Sequence, residues 1–277
     1  MCQYALYLDL AQFRALRARI CRFLRRHPEY RRRRSRAGLT ISEMLRLTLA
    51  AFRHNLRQRL LAWVFKVHQS TVCRVVAWMR GVLAEVLADL VPGGGDIAAA
   101  VSGLLSSTGR PIIALVDGTL VPVSQRRSNR DDYSGKHRRP GRNVQVVCGA
   151  VGNLLHVAAP LPGRYHDRRA VAESGIEAAL KSDPRLLAHA DKGYIGTGFI
   201  VPRRPSKHHP LTIAQRVENR EINVIRCPVE RSIAGIKVLD ILRSGIRTRS
   251  PRRGAVIDQI IAVGVGLVFF RQRWSRA

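Results

Sequence analysis

Hydrophobic and polar positions alternate with two different periods in the two parts of this chain. Over residues 1–92, Leu, Ala and Arg dominate and proline is almost absent. Apolar residues there recur at helical spacing, which predicts an all-α region. Pro92-Gly93-Gly94-Gly95 ends that region and marks a boundary. Beyond it, residues 112–123 form a β-rich run containing Val116, Val121 and Val123. Residues 143–151 and 154–159 are two more apolar runs flanking Gly152-Asn153, a hairpin-type turn. Residues 166–181 have helical spacing through Ala170, Ile176, Ala179 and Leu180. Residues 186–190 read as a short strand, 202–210 as a polar loop rich in Pro, Arg and His, and 229–242 as a helix. Residues 260–270 are the most apolar stretch, shorter than a bilayer of roughly 30 Å requires. They read as a buried C-terminal helix or strand. The expected fold class is therefore α/β, a mixed sheet preceded by an all-α domain. The expected divisions are 1–92 (helical), 93–110 (linker), 111–250 (mixed sheet) and 251–277 (a tail packing on the sheet domain).

Charge narrows the function. The chain of 277 residues carries 48 Lys and Arg against 19 Asp and Glu, a formal net charge of +29. An apolar fraction of 46% is that of a globular protein, so the charge decorates a folded chain. Positive charge spread along the whole chain suits a long polyanion better than a single membrane-anchoring helix. Residues 1–92 hold a net +13, the denser share. Five widely spaced cysteines without a C-x-x-C pair imply neither a zinc site nor a disulfide framework. No signal-peptide pattern opens the sequence. A reducing cytoplasm and no membrane are the expectation.

Within that basic background, three acids stand out. Asp117 and Asp191 follow short apolar runs, and Glu230 opens a helical one. Acids are costly to crowd unless cations balance them. Carboxylates converging from separate elements make an oxygen-donor site for hard divalent metals, and a two-metal pair suits phosphodiester chemistry. Taken singly, each also reads as a surface acid at a strand end. Asp167, before a helical run, reads either as a rival second acid or as an N-cap, and the cap is favoured. In the first region, residues 56–66 and 70–80 form two helical runs joined by Val67-His68-Gln69, the length of a helix-turn-helix. Leu60, Leu61 and Val64 are expected to pack on Val72, Val76 and Met79, leaving Gln69, Ser70, Thr71 and Arg74 facing outward to DNA. An ordinary helical hairpin is the alternative. The basic run 31–34 with Arg36 reads as a DNA-contacting arm or as a solvated charge run.

The local words are familiar as a set. VDGTLVPV (116–123), YSGKH (133–137), NVQVVCGAVGNLLHVAAPLPGRYHD (143–167), ADKGY (190–194) and CPVERSIAGIK (227–237) stand in this order. With them the chain resembles DDE-type insertion-sequence transposases of the branch related to Harbinger elements, over roughly residues 40–245. The resemblance implies an RNase H-like catalytic domain with Asp117, Asp191 and Glu230 as catalytic metal ligands. It implies Mg²⁺, with Mn²⁺ able to substitute, as two ions. It also implies double-stranded DNA partners (element ends and target) and a homodimer or larger assembly in the bacterial cytoplasm. Related enzymes carry a Tyr, Arg, Glu, Lys signature on the last helix, its basic residues touching the element end. Here Asn223, Arg226, Glu230 and Lys237 hold that spacing, so the tyrosine position departs from the pattern. The rival readings are a decayed DNA-binding protein and a structure-selective nuclease of the same fold.

Overall fold

The computed structural model describes residues 6–30, 38–92, 112–124, 130–247 and 253–274. The basic run at 31–36 and the whole 93–110 linker lie outside the described residues. The chain divides into two compact units: Met1–Leu90 with Ile236–Ala277, and Val91–Gly235.

The first unit is helical. Helix α1 (Leu10–Arg26) starts at a capping box, in which the Asp9 carboxylate accepts from Gln12 N at 2.8 Å and Asp9 N donates to Gln12 Oε1 at 3.0 Å. It buries Phe13, Leu16 and Ile20, one stripe at helical spacing. Helix α2 (Ile41–His54) repeats the device with Thr40 and Glu43, and stops at Asn55 in the left-handed region. Helices α3 (Gln58–Val64) and α4 (Gln69–Leu87) follow. Helix α4 is the hub, touching α1, α2, α3 and the C-terminal helix α9 (Arg253–Trp274). Its buried stripe is Val72, Val75, Met79, Val82, Leu83 and Val86. The packing expected from sequence is corrected in part. Leu61 is buried as foreseen, but Leu60 and Val64 are 46% and 45% exposed, and Val75 replaces Val76 in the core.

Helix α9 packs on α4, within the helical unit. Gly266 permits the approach: a Cβ there would stand 2.8 Å from the Leu87 Cβ. The helix is longer than its apolar run suggested, and Gly254–Trp274 is long and apolar enough, by length and composition alone, to cross a membrane. Most of it is buried, with Ile257, Val263 and Leu267 fully so, as in the core helix of a soluble unit.

The second unit is mixed α/β. Its sheet runs β2 (Tyr133–Ser134), β3 (Arg139–Gly149), β1 (Ile112–Pro122), β6 (Leu186–His189), with β4 (Leu154–Val157) and β5 (Leu161–Pro162) also paired to β3. Strand β1 is central. It runs antiparallel to β3, setting Asp117 opposite Val146, and parallel to β6, setting Leu115 opposite His189. The predicted hairpin turn is present, with Gly152 at φ +81° and Gly149 N donating to Asn153 O at 2.9 Å. Period-two alternation sends the sides of β1 into two cores. Ala114 and Val116 meet Val171, Ile176 and Leu180 from helices α5 (Asp167–Glu173) and α6 (Ile176–Lys181). Leu115 meets Cys148 and Val229 of helix α7 (Ile213–Lys237). The single helix expected over 166–181 is two, broken at Gly175, whose φ is +76°. The last helix begins far before 229. Its early turns are mostly exposed, Ile213 at 76% and Val224 at 67%, and Asn219 and Ile222, the positions they bury, pair one polar residue with one apolar, a weak signal for periodicity. A short helix α8 (Asp240–Ser244) follows it.

Candidate active site

Asp117 lies in the middle of β1, on the side of the sheet that Leu115 presents to α7. One oxygen accepts from Gly118 N at 2.8 Å, and the other lies 4.0 Å from the Arg226 guanidinium. Burial pushes its pKa up to about 6. The Gly118 N–H and Arg226 oppose that rise, while the charges of Asp191 and Asp167 add to it. Asp191 stands just past β6 and caps the short turn Lys192–Tyr194, its Oδ1 accepting from Gly193 N at 2.6 Å.

Asp167 is not the cap that sequence suggested. The N-cap of α5 is His166, which makes no side-chain capping bond, and Asp167 is the first helical residue. Its carboxylate instead pairs with Lys136 at 2.7 Å and is 11% exposed. Two glycines make room for this gathering. A Cβ on Gly118 would stand 2.7 Å from Asp167 Oδ1, and one on Gly193 would stand 2.8 Å from Asp191 Oδ1 and 3.0 Å from Asp167 Oδ2. A cavity of about 440 Å³ opens here, lined among others by Gly118, Lys136, Asp167, Asp191 and Arg204.

A buried polar chain supports the acids from behind. Tyr194 donates to Gln145 Oε1 at 2.6 Å, Gln145 donates to Asn143 Oδ1 at 2.7 Å, and Asn143 donates to the Tyr165 carbonyl at 3.0 Å. Burial, with Asp167, Asp117 and Asp191 nearby, holds the Tyr194 phenol well above its usual pKa. It stays a neutral donor. Lys136 keeps its proton too: burial pulls its pKa down, but the Asp167 hydrogen bond and the three acids outweigh this and raise it. Sequence reasoning missed Lys136, Gln145 and Tyr194. The available signal was a glutamine inside the apolar run Val144-Gln145-Val146-Val147.

The structure thus groups Asp117, Asp191 and Asp167. Glu230 sits on α7 next to buried Val229, is itself exposed, and is not among the charges that shift Asp117. Among the described residues, no three His, Cys, Asp or Glu side chains stand close enough to hold a metal ion. Arg226, one turn before Glu230, is the α7 residue that reaches Asp117. Burial and the Arg226 charge both hold the His189 pKa down, so that imidazole is neutral near pH 7. Asn223 is exposed and shares a shallow groove with Arg216, Arg220 and Cys227. Lys237 ends α7 and falls in the helical unit.

In the helical unit, α3 and α4 are joined by a turn that holds Lys66 at φ +50°, and His68 caps α4 by accepting from Ser70 N at 3.2 Å. Gln69 opens α4 and is exposed, as is Arg74. Ser70 is half-buried. Thr71, expected to face outward, is 7% exposed and belongs to the core side. In the loop 202–210, Arg203 pairs with Glu218 at 2.9 Å and Arg204 donates to the Lys192 carbonyl at 2.7 Å.

Comparisons with known proteins converge on this arrangement. The family model described as a DDE superfamily endonuclease matches residues 116–268, and that of the helix-turn-helix of the DDE superfamily endonuclease matches residues 37–89. The chain is 31% identical over 208 residues to a protein named as a putative transposase for insertion sequence element IS112 from Streptomyces albus G, covering 74% of this chain and 72% of that one. It is 28% identical over 192 residues to a probable transposase for insertion sequence element IS702 from Microchaete diplosiphon, covering 67% and 66%. No solved structure matches the chain. The helix-turn-helix model and the endonuclease model match the chain one after the other, and this chain belongs to the DDE superfamily endonuclease family.

Proposed function

We propose that this protein is a transposase that binds the inverted ends of its own element, cleaves DNA there and joins the freed 3′-hydroxyl to target DNA. One observation carries the reading. Strands β1 and β6, paired side by side, bring Asp117 and Asp191 within electrostatic reach of each other in a chain of net charge +29. A polyanion meets a local pocket of acid only where a cation mediates, and an all-oxygen donor set suits a hard divalent ion.

The order of β1, β3 and β6 with helices on either side supports an RNase H-like catalytic domain. Asp117, Asp191 and Glu230 are the residues that would hold two ions, Mg²⁺ with Mn²⁺ as substitute. Those ions, when bound, supply Lewis acidity to the phosphodiester. The chain's own groups do the rest. Gly118 and Gly193 leave room for the Asp167 and Asp191 carboxylates, Arg226 lends positive charge beside Asp117, and Tyr194 with Gln145 fixes the floor. Gln69, Ser70 and Arg74 at the start of α4 contact DNA, as do Arg226 and Lys237, while the burial of Thr71 removes it from that set. Because two ends must meet, a homodimer or larger assembly forms on DNA in the bacterial cytoplasm.

The test uses the full chain with a supercoiled plasmid carrying its gene and flanking DNA. Mg²⁺-dependent cuts at the element boundaries, abolished by EDTA, are expected. Cutting without preference for the boundaries would indicate a nuclease of the same fold. Specific binding without cutting would indicate a decayed copy.

A further inference from the structure

Lys136 has no part in that reading, yet its ammonium is paired with one acid of the group, Asp167. Lys136 stands in the exposed four-residue turn between β2 and β3, with its side chain 57% exposed. From there its ammonium reaches the largely covered Asp167 carboxylate at 2.7 Å. Asp167, Asp191 and Asp117 all act on that ammonium, so its charge serves the whole cluster and not one pair alone. Lys136 and Asp167 line the same cavity as Asp191, Lys192, Gly193 and Arg204. Lys136 holds the Oδ2 oxygen of Asp167, and the Oδ1 oxygen stands where a side chain on residue 118 would otherwise project.

We infer that Lys136 is a phosphate-binding residue: it holds a phosphate of the strand brought to Asp117 and Asp191, and Asp167 is the carboxylate on which it rests when DNA is absent. This rests on the DNA-cleaving reading above. The exchange of partners costs little. An ammonium this exposed gains little from a single carboxylate in water. A phosphodiester is an equally charged acceptor, and it arrives with counterions to release. The four-carbon stem of lysine can swing between them without moving the hairpin. Asp167 then needs no metal despite its place beside Asp117, because a lysine already balances its charge.

The experiment measures binding of a labelled duplex from the gene's flanking DNA to the full chain in EDTA, across a salt series. Wild type is compared with Lys136→Ala, Lys136→Arg and Asp167→Asn, each with its melting temperature. Lys136→Ala should weaken binding about three- to tenfold and reduce the slope of log affinity against log salt by about one, with the melting point kept. Lys136→Arg should restore the wild-type slope, which a merely structural lysine would not require. Asp167→Asn should tighten binding, because it frees the ammonium and removes an anion. In parallel, the thermal stabilisation given by Ca²⁺ should survive Asp167→Asn and be lost in Asp191→Asn. Wild-type binding left unchanged by Lys136→Ala sinks this proposal alone, and no DNA binding by wild type sinks it together with the transposase reading. Loss of the Ca²⁺ effect in Asp167→Asn would make that residue a metal ligand and overturn its role here.

Discussion

Asp117 is a carboxylate that the fold prefers protonated. Its folded pKa of about 6 lies above the ordinary 3.8, so the folded chain binds a proton that the unfolded chain releases. The resulting contribution to stability is complete below pH 3.8 and is lost as pH rises through 6. Asp117→Asn should therefore raise the metal-free stability by about 1–3 kcal/mol at pH 7.5, with the gain vanishing at pH 3.5. The same variant should abolish cleavage while retaining DNA binding. Thermal melts in EDTA at the two pH values check the sign, and an equal gain at both would refute the burial argument. The neighbouring Gly118 is fixed by space. An added methyl would lie 2.6 Å from Gln145 Nε2 and 2.7 Å from Asp167 Oδ1. Gly118→Ala is expected to cost about 1–3 kcal/mol in urea unfolding, as overpacking does.

At the scale of elements, α4 serves two masters. One face buries Thr71, Val72, Val75 and Met79, and the start of the other carries Gln69 and Arg74. Substitutions on the two faces should separate cleanly. Arg74→Ala should weaken binding to element-end DNA by about 1–3 kcal/mol if the guanidinium reads a base, with the urea midpoint unchanged. Thr71→Ala should lower the midpoint and leave the specific affinity of the folded protein intact. Electrophoretic mobility shifts alongside denaturant titrations resolve the two effects, and the reverse pattern would show the wrong face was assigned to DNA.

The whole molecule adds two consequences. Since α9 packs on α4, with Arg80 donating to Gln259 Oε1 at 2.7 Å, the helical unit is built from both ends of the chain. A fragment of residues 1–92 leaves the α4 surface that meets α9 uncovered. It is expected to lose the cooperative melt seen when residues 236–277 are supplied as well, and calorimetry of the two preparations decides. The net charge of +29 predicts that DNA affinity falls steeply between 50 and 200 mM salt, by about 10³-fold or more if six or more phosphates are neutralised. A flat salt series would leave the charge without that role.

Much was legible in the chain itself, because it was local. The apolar run before Asp117, the turn at Gly152-Asn153 and the helix-turn-helix spacing near His68 depend on neighbours a few positions away. So do the five family words, and with them the family. What the sequence left open depends on partners far apart. Periodicity shows that α9 has an apolar surface but not that α4 covers it. An Asp before a helix reads as a cap until a lysine 31 residues away takes its carboxylate. The early turns of α7 bury only a polar Asn219 and an apolar Ile222 before Ile225 and Val229 meet the sheet, too weak a pattern for sequence to read as a helix. The sequence by itself determined which elements form and which residues carry charge. Only tertiary structure decided which faces meet and which acids share a pocket, because burial and charge balance are properties of groups that the fold brings together.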